Sequence, residues 1–341
     1  MFDFIPDYLY LLVFGIILLI KGGDWFVDAA TGIARRFHLP ELLIGATVVS
    51  IGTTLPEVLT SAISAANGNA ATAYGNAVGS IICNTALIAA LTIAIKPSKV
   101  NRRTIIFPVC FFFGAAAFYA FNAYAFEKFS LWSGLVLLAG FVVYMIINVL
   151  NMKKNPDSLD AIEEIPEEKE EKEGEKADSK FTLIKDIVML VVSAAVIAVG
   201  ADLLGTNAEY IAKEVLHVPG TIVSLTVVAI ATSLPELVTA ITALTKGHGA
   251  LSLGNIIGAN IFNLVLVSGS AISIRPFDIP SEAKLAGIPA SLVVDVPLVF
   301  LVMGIMTIPA LIRGKLARWQ GISLLVIYVS YILLQCLVLA K

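Results

Sequence analysis

The chain has 341 residues, 58% hydrophobic and only 14% charged, with a mean hydropathy of +0.89. A soluble domain carries nearer ~25% charged residues, so these values exclude a water-soluble globular protein. The net charge of −3 says little, because the charges are unevenly placed, and no nucleic-acid partner is expected. The chain also lacks the alternating segments of about ten residues that would build a membrane β-barrel.

Ten apolar spans follow in chain order, at roughly 5–22, 42–66, 71–95, 104–124, 130–150, 182–204, 220–244, 250–274, 292–312 and 319–340. Most reach the length needed to cross a bilayer as a helix. The predicted fold is therefore an all-α integral membrane protein. The N-terminal "MFDFIPDYLY" is acidic and leads straight into the first span, with no basic leader and cleavage site. Between the fifth and sixth spans, Asn151–Lys180 holds 11 acidic and 6 basic residues and reads as a solvated spacer. This divides the chain into 1–150, an acidic loop at 151–181, and 182–341. Cys83, Cys110 and Cys336 all lie in apolar segments and show no disulfide or metal spacing.

Loop charge sets the expected orientation. With the N-terminus outside, Arg35, Arg36, Lys96, Lys99, Arg102, Arg103, Lys185, Lys246, Arg313, Lys315 and Arg318 fall inside, as does the acidic loop. Lys128, Lys213, Arg275, Lys284 and Lys341 fall outside. Both termini are thus expected outside and the loop in the cytoplasm.

The two halves repeat. "TTLPE" at 53–57 returns as "TSLPE" at 232–236, and "YGNAVGSIICN" at 74–84 returns as "LGNIIGANIFN" at 253–263, both at an offset of 179. Aligning 52–84 with 231–263 gives 12 identities in 33 positions, including Pro56/Pro235, Glu57/Glu236, Gly75/Gly254, Asn76/Asn255, Gly79/Gly258 and Asn84/Asn263. Five spans per half is an odd number, so the second half is inverted relative to the first. Inverted repeats with interrupted helices near the midplane are a signature of secondary transporters.

The repeated residues carry a specific chemistry. Pro56 and Pro235 lack an N–H, so the carbonyls of Gly52 and Ala231 are predicted to lose their helical partners at one membrane depth. Glu57 and Glu236 place carboxylates beside them, although a charge at the bilayer centre costs at least ~2.5 kcal/mol. Ser50, Thr53, Thr54, Glu57, Thr60, Ser61 and Ser64 recur at steps of three and four and line one helix face. Asn76, Ser80 and Asn84 form a stripe beside Gly75 and Gly79. The second half offers Thr232, Ser233, Glu236, Thr239, Asn255, Asn260 and Asn263. These are oxygen ligands, which suit hard cations such as Na⁺, K⁺ or Ca²⁺. One Ca²⁺ or two Na⁺ neutralise two carboxylates, whereas an empty site must take up protons or water. That charge rule favours moving loaded over moving empty, as exchange requires. The GxxxG pairs read as packing surfaces or ligands, and Asn76 and Asn255 as ligands or interhelical glue. Asp24 and Asp202 are expected at span ends, Asp295 at the start of the ninth span, and His38 and His217 at the interface.

The paired "TxLPE" and "GNxxGxxxxN" boxes, in inverted halves around an acidic loop, resemble the calcium/cation antiporter superfamily, most closely its microbial sodium/calcium exchangers. The likeness extends over nearly the whole chain, including "GGDWFVDAA" and "GADLLGTNAE". It implies that Glu57 and Glu236 are the central Ca²⁺ and Na⁺ ligands and that Thr53 and Thr232 contribute carbonyls. It further implies flanking Na⁺ sites from Ser50, Thr54, Ser80, Ser233 and the carbonyl of Ala229, with Asn84 lining the middle. Asn263 and Ala259 depart from the Asp and Ser of many relatives, which bears on K⁺ dependence and on stoichiometry. The implied activity is exchange of Na⁺ for Ca²⁺ across the plasma membrane by alternating access, without a resident cofactor. A H⁺/Ca²⁺ exchanger of the same fold is the alternative. A channel lacks support because there is no filter-like repeat, and an intramembrane hydrolase because no nucleophile–base pair lies within the spans. Inorganic cations and lipid are the expected partners, and the oligomeric state is not legible.

Overall fold

The structure is a computed structural model and describes residues 7–37, 39–154, 179–215, 229–281 and 283–335. Among the described residues the chain forms ten helical runs. The first five are α1 Asp7–Arg36, α2 Glu41–Ala66, α3 Ala70–Ile95, α4 Arg102–Phe126 and α5 Leu131–Lys154. Then come α6 Ser179–Tyr210, extended by the π-turn Ile211–Val215, and α7 in two pieces, Ala229–Thr232 and Leu234–Thr245. α8 Gly249–Ile274, α9 Ser291–Arg313 and α10 Arg318–Leu334 complete the set. Eight of these are long and apolar enough to cross a membrane, and the pieces of α7 and α10 are shorter. Most of the acidic loop, and the His38 and His217 positions, lie outside the described residues.

Most span limits agree with the hydropathy reading, but α1 and α6 run well past their predicted ends at 22 and 204. Thirty helical residues reach about 45 Å, more than a ~30 Å hydrocarbon core, so α1 must tilt. α1 and α6 cross closely at glycines: a Cβ on Gly15 would come 2.9 Å from the Gly200 carbonyl oxygen, and one on Gly200 2.9 Å from that of Gly15. Together with parts of α2, α7 and α8 they build a small apolar cluster around Phe26, Val27, Ala30, Ile44 and Ile197. It is separate from the large core, in which α3, α4, α8 and α9 meet at Ile81, Phe112, Phe262 and Met303. α8 and α3 are innermost, with 89% and 72% of their apolar stretches buried, against 22% for α6. Val13, Phe14 and Ile17 on α1, Val142 and Ile146 on α5, and Val188 and Val191 on α6 are exposed, a face that only lipid accommodates.

Loop contacts sort the helix ends into two groups. At one end His248 Nδ1 lies 2.7 Å from Glu41 Oε1, and the α3–α4 and α9–α10 loops pair through Leu316 N–H to Ser98 O (2.8 Å) and Val100 N–H to Gly314 O (2.9 Å). At the other end the two-residue strands β1 Lys128–Phe129 and β2 Phe277–Asp278 pair antiparallel, and the Tyr124 hydroxyl donates to Leu292 O at 2.6 Å. α1 enters from this second end and finishes at the first, where its Gly32 lies beside Asp186 near the start of α6. The two halves therefore run in opposite senses. Pro309, inside α9, removes the helical partner of the Ile305 carbonyl. Gln320 Nε2 from α10 donates to that oxygen at 2.8 Å and to Met306 O at 3.0 Å.

Candidate ion-binding site

α2 carries its polar residues on one face, and the fold buries that face. Ser50, Thr53, Thr54, Glu57 and Ser61 are all buried, with Glu57 at 0% exposure. A π-turn, Gly45–Val49, precedes Ser50 and shifts the hydrogen-bond register. Ser50 Oγ lies 2.7 Å from Gly45 O and 3.0 Å from Asn255 O, and its single proton serves one of them. The two prolines are accommodated differently. Pro56 stays inside an unbroken helix, Ser50–Ala66. Pro235 falls in the first turn of Leu234–Thr245, after Ser233 leaves helical geometry at φ −95°, ψ 9°. A missing N–H costs nothing in a first turn, so the second proline starts a helix where the first is absorbed by one. Glu236 thereby sits at a helix N-terminus, where aligned peptide dipoles favour negative charge. Glu57, in mid-helix, has no such support.

The halves meet at these carboxylates. Thr54 Oγ1, one turn before Glu57, donates to Glu236 Oε1 across the repeat boundary at 3.4 Å. On α3 and α8, Asn84 and Asn263 each open a π-turn, Asn84–Ala89 and Asn263–Val267. Both are fully buried. Among the described residues, buried oxygen and nitrogen atoms without a hydrogen-bond partner concentrate here: both oxygens of Glu57, Oε2 of Glu236, Oγ of Ser233, and both amide atoms of Asn84 and Asn263. Each such atom costs about 1–3 kcal/mol, more when charged, and native structures leave few unexplained. The cluster is rich in hard oxygen donors and suits a cation that takes oxygen ligands.

Other expected residues are accounted for differently. Asn76 Nδ2 lies 3.0 Å from Glu57 O and 2.8 Å from Ser61 Oγ, joining α3 to α2. Asn255 Nδ2 donates to Thr239 Oγ1 at 2.9 Å, while its Oδ1 faces Ser50 Oγ (3.3 Å) and Thr53 Oγ1 (3.4 Å). Gly254 and Gly258 let α8 press against α2: a Cβ on Gly254 would collide with Leu42 O, and one on Gly258 with Ser50 Oγ and with Ala46 Cα at 2.6 Å. Among the described residues nothing lies within 4 Å of a Cβ built on Gly75 or Gly79. Ser80 is buried on α3, and Ala229 and Thr232 bound the short first piece of α7.

Asp24 was expected at a span end but lies within α1. There Lys246 Nζ approaches its carboxylate at 3.5 Å and that of Asp28 at 2.7 Å. Asp202 is exposed on α6. Asp295 does fall at the start of α9, in the π-turn Ser291–Asp295, and accepts from the Tyr331 hydroxyl at 3.3 Å. Beside the carboxylate cluster, Asn260 Nδ2 donates to Thr85 Oγ1 at 2.7 Å and leaves its own Oδ1 unpartnered. The repeat does not flag Asn260, because Ile81 stands at the matching position.

The family model described as sodium/calcium exchanger protein matches residues 8–150 and again 185–337. The chain belongs to this family. The exchanger is 32% identical to the sodium/calcium exchanger MaX1 of Methanosarcina acetivorans, over 94% of this chain and 96% of that protein. It is 33% identical to the inner membrane protein YrbG of Escherichia coli, over 79% of this chain and 80% of that one. Its fold matches a structure of the sodium-calcium exchanger NCX_Mj with a TM-score of 0.75 and 29% identity, covering 95% of this chain and 97% of that one. The exchanger is thus an all-α, multi-pass membrane cation exchanger of the microbial type and a transporter, not an enzyme.

Proposed function

We propose that this exchanger trades Na⁺ for Ca²⁺ across the plasma membrane by alternating access, extruding Ca²⁺ as Na⁺ enters. The observation that carries the reading is the cluster of unpartnered buried donors around Glu57 and Glu236. Two carboxylates are matched by one Ca²⁺ or by two Na⁺, so either cargo relieves the same charge and the two compete. Thr53 and Thr232 add carbonyls. Ser50, Thr54, Ser80, Ser233 and the Ala229 carbonyl build flanking Na⁺ sites, and Asn84 and Asn263 line the middle. Asn76 and Asn255, whose amides already hold protein groups, join helices. Residues 1–150 and 182–341 act as two repeats around a cytoplasmic loop at 151–181, with both termini outside. Sliding of α1 and α6 across the other helices is the expected motion, and their close crossing at Gly15 and Gly200 supports their moving as a unit. MaX1 and NCX_Mj carry names that fit this ion pair.

Proton-for-Ca²⁺ exchange is the second reading, since Glu57 and Glu236 could be neutralised by protons instead. Ca²⁺ uptake into proteoliposomes preloaded with Na⁺, K⁺ or acid and diluted into choline buffer decides between them. Uptake with Na⁺ inside, and not with acid or K⁺, is the expected result. Uptake only with acid inside would replace Na⁺ by H⁺.

A further inference from the structure

The inverted repeat builds the same loop-on-loop bridge at both ends of the molecule. At one end Lys128, the second residue after α4, faces Asp278 across the β1–β2 pair. At the other, Lys315, the second residue after α9, faces Lys99 across an antiparallel bridge. Lys99 and Asp278 are repeat mates at the offset of 179. One bridge therefore joins opposite charges and its counterpart joins like charges, which destabilise a pairing when directly opposite. The imbalance extends beyond the pair. Residues 127–130 and 275–290 hold three acidic and three basic side chains, whereas 96–103 and 313–318 hold seven basic and no acidic ones.

Arg102 adds to the like-charged bridge. Gly314 sits at φ +67°, and a Cβ there would come 3.3 Å from Arg102 Nε, so the guanidinium lies against the turn between Arg313 and Lys315. Among the described residues no ion pair involves Arg102, Arg313 or Lys315, and all three are exposed. The loops are nonetheless held together by backbone bonds, Leu316 N–H to Ser98 O and Val100 N–H to Gly314 O. Cations gathered by the backbone, without a carboxylate of their own, call for an anion from outside. Depth selects it. Ile95, Ile106, Ile312 and Trp319 are exposed beside these cations, so the patch lies where the lipid-facing surface ends, at the level of the lipid phosphates.

We propose that the paired α3–α4 and α9–α10 loops bind the headgroup of an anionic phospholipid, with its phosphate held by Arg102, Arg313 and Lys315. A guanidinium fork grips phosphate oxygens at two points, and the ammonium adds a compact charge. The lipid supplies at this end the negative charge that Asp278 supplies at the other, and it ties the ends of α3, α4, α9 and α10 to one leaflet. None of these residues belongs to the carboxylate cluster, and nothing in the assignment depends on which ions are exchanged.

The test titrates phosphatidylglycerol, against phosphatidylcholine, into the purified exchanger in detergent and follows the thermal midpoint and the lipid retained in native mass spectrometry. Three chains are compared: the wild type, the triple variant Arg102→Gln, Arg313→Gln and Lys315→Gln, and a control triple from the opposite end, Lys128→Gln, Arg275→Gln and Lys284→Gln. Phosphatidylglycerol should raise the wild-type midpoint by about 5 °C and phosphatidylcholine should not. The first triple variant should need roughly tenfold more phosphatidylglycerol for half its effect, or show none, while the control triple behaves as the wild type. Equal losses in both triples would mean diffuse charge attraction and overturn the assignment. An equal rise with inorganic phosphate would mean a bare anion site and overturn it as well. A wild type indifferent to phosphatidylglycerol, whose midpoint falls on deletion of 157–178 while that of the first triple variant does not, would give the patch to the chain's own acidic loop. If the first triple variant cannot be purified folded, Lys315→Gln alone decides, by a severalfold shift for the proposal or none against it.

Discussion

Glu57 and Glu236 occupy matching repeat positions but unequal surroundings. Glu236 has a helix N-terminus and the Thr54 hydroxyl, while both oxygens of Glu57 lack a partner among the described residues. Thr54→Val keeps the shape and removes the hydroxyl. A hydrogen bond to a carboxylate at a long 3.4 Å contributes about 1 kcal/mol, or roughly fivefold in affinity. The expected outcome is a several-fold rise in half-saturating Ca²⁺ with insertion in the membrane unchanged, read from uptake against Ca²⁺ concentration. An unchanged Ca²⁺ dependence would mean that Thr54 does not support the carboxylate. At this scale the sequence exposed the acids well, since a Pro-Glu pair recurring at a fixed offset inside apolar spans has no packing explanation. It could not separate Asn84 and Asn263 from Asn76 and Asn255. All four recur, and only the positions of Ser61, Thr239 and the facing helices show which amides are already engaged.

Helices were legible because lipid demands long apolar runs, and the spans from Glu41 to Lys154 begin and end close to where hydropathy changes. The lengths of α1 and α6 were not. Lys21, Gly22, Gly23 and Asp24 look like the end of a span, yet α1 continues for another twelve residues, which bury Phe26, Val27, Ala30 and Ile33 in the small cluster while Lys246 partners Asp24 and Asp28. The π-turns at Gly45, Asn84 and Asn263 were equally hidden, since that register depends on what packs alongside and not on local propensity. A packing device of the same kind links α9 and α10. Gln320→Leu would orphan the Ile305 carbonyl, at about 1–3 kcal/mol for a buried group, and remove a second bond from Met306 O. The expected result is a lower thermal midpoint in detergent with ion affinities unchanged. A midpoint equal to that of the wild type would show that the Pro309 gap is closed in another way.

Across the whole molecule, two inverted halves bring one acidic residue each to a common buried cluster, and the α1–α6 pair packs on α2, α7 and α8 through a second, smaller apolar cluster. The charge rule makes this arrangement an exchanger. The carboxylates cannot both stay charged and bare, so one cargo must replace the other before the site changes sides. If so, Ca²⁺ and Na⁺ occupy overlapping ligands and exclude each other, and each half is indispensable. The most direct check is equilibrium binding of ⁴⁵Ca²⁺ to the purified exchanger with increasing Na⁺, for the wild type, Glu57→Gln and Glu236→Gln. The account predicts saturable binding that Na⁺ displaces completely in the wild type, and loss of that binding in both variants. Ca²⁺ retained at saturating Na⁺, or full binding in either variant, would contradict a single shared site built from both repeats.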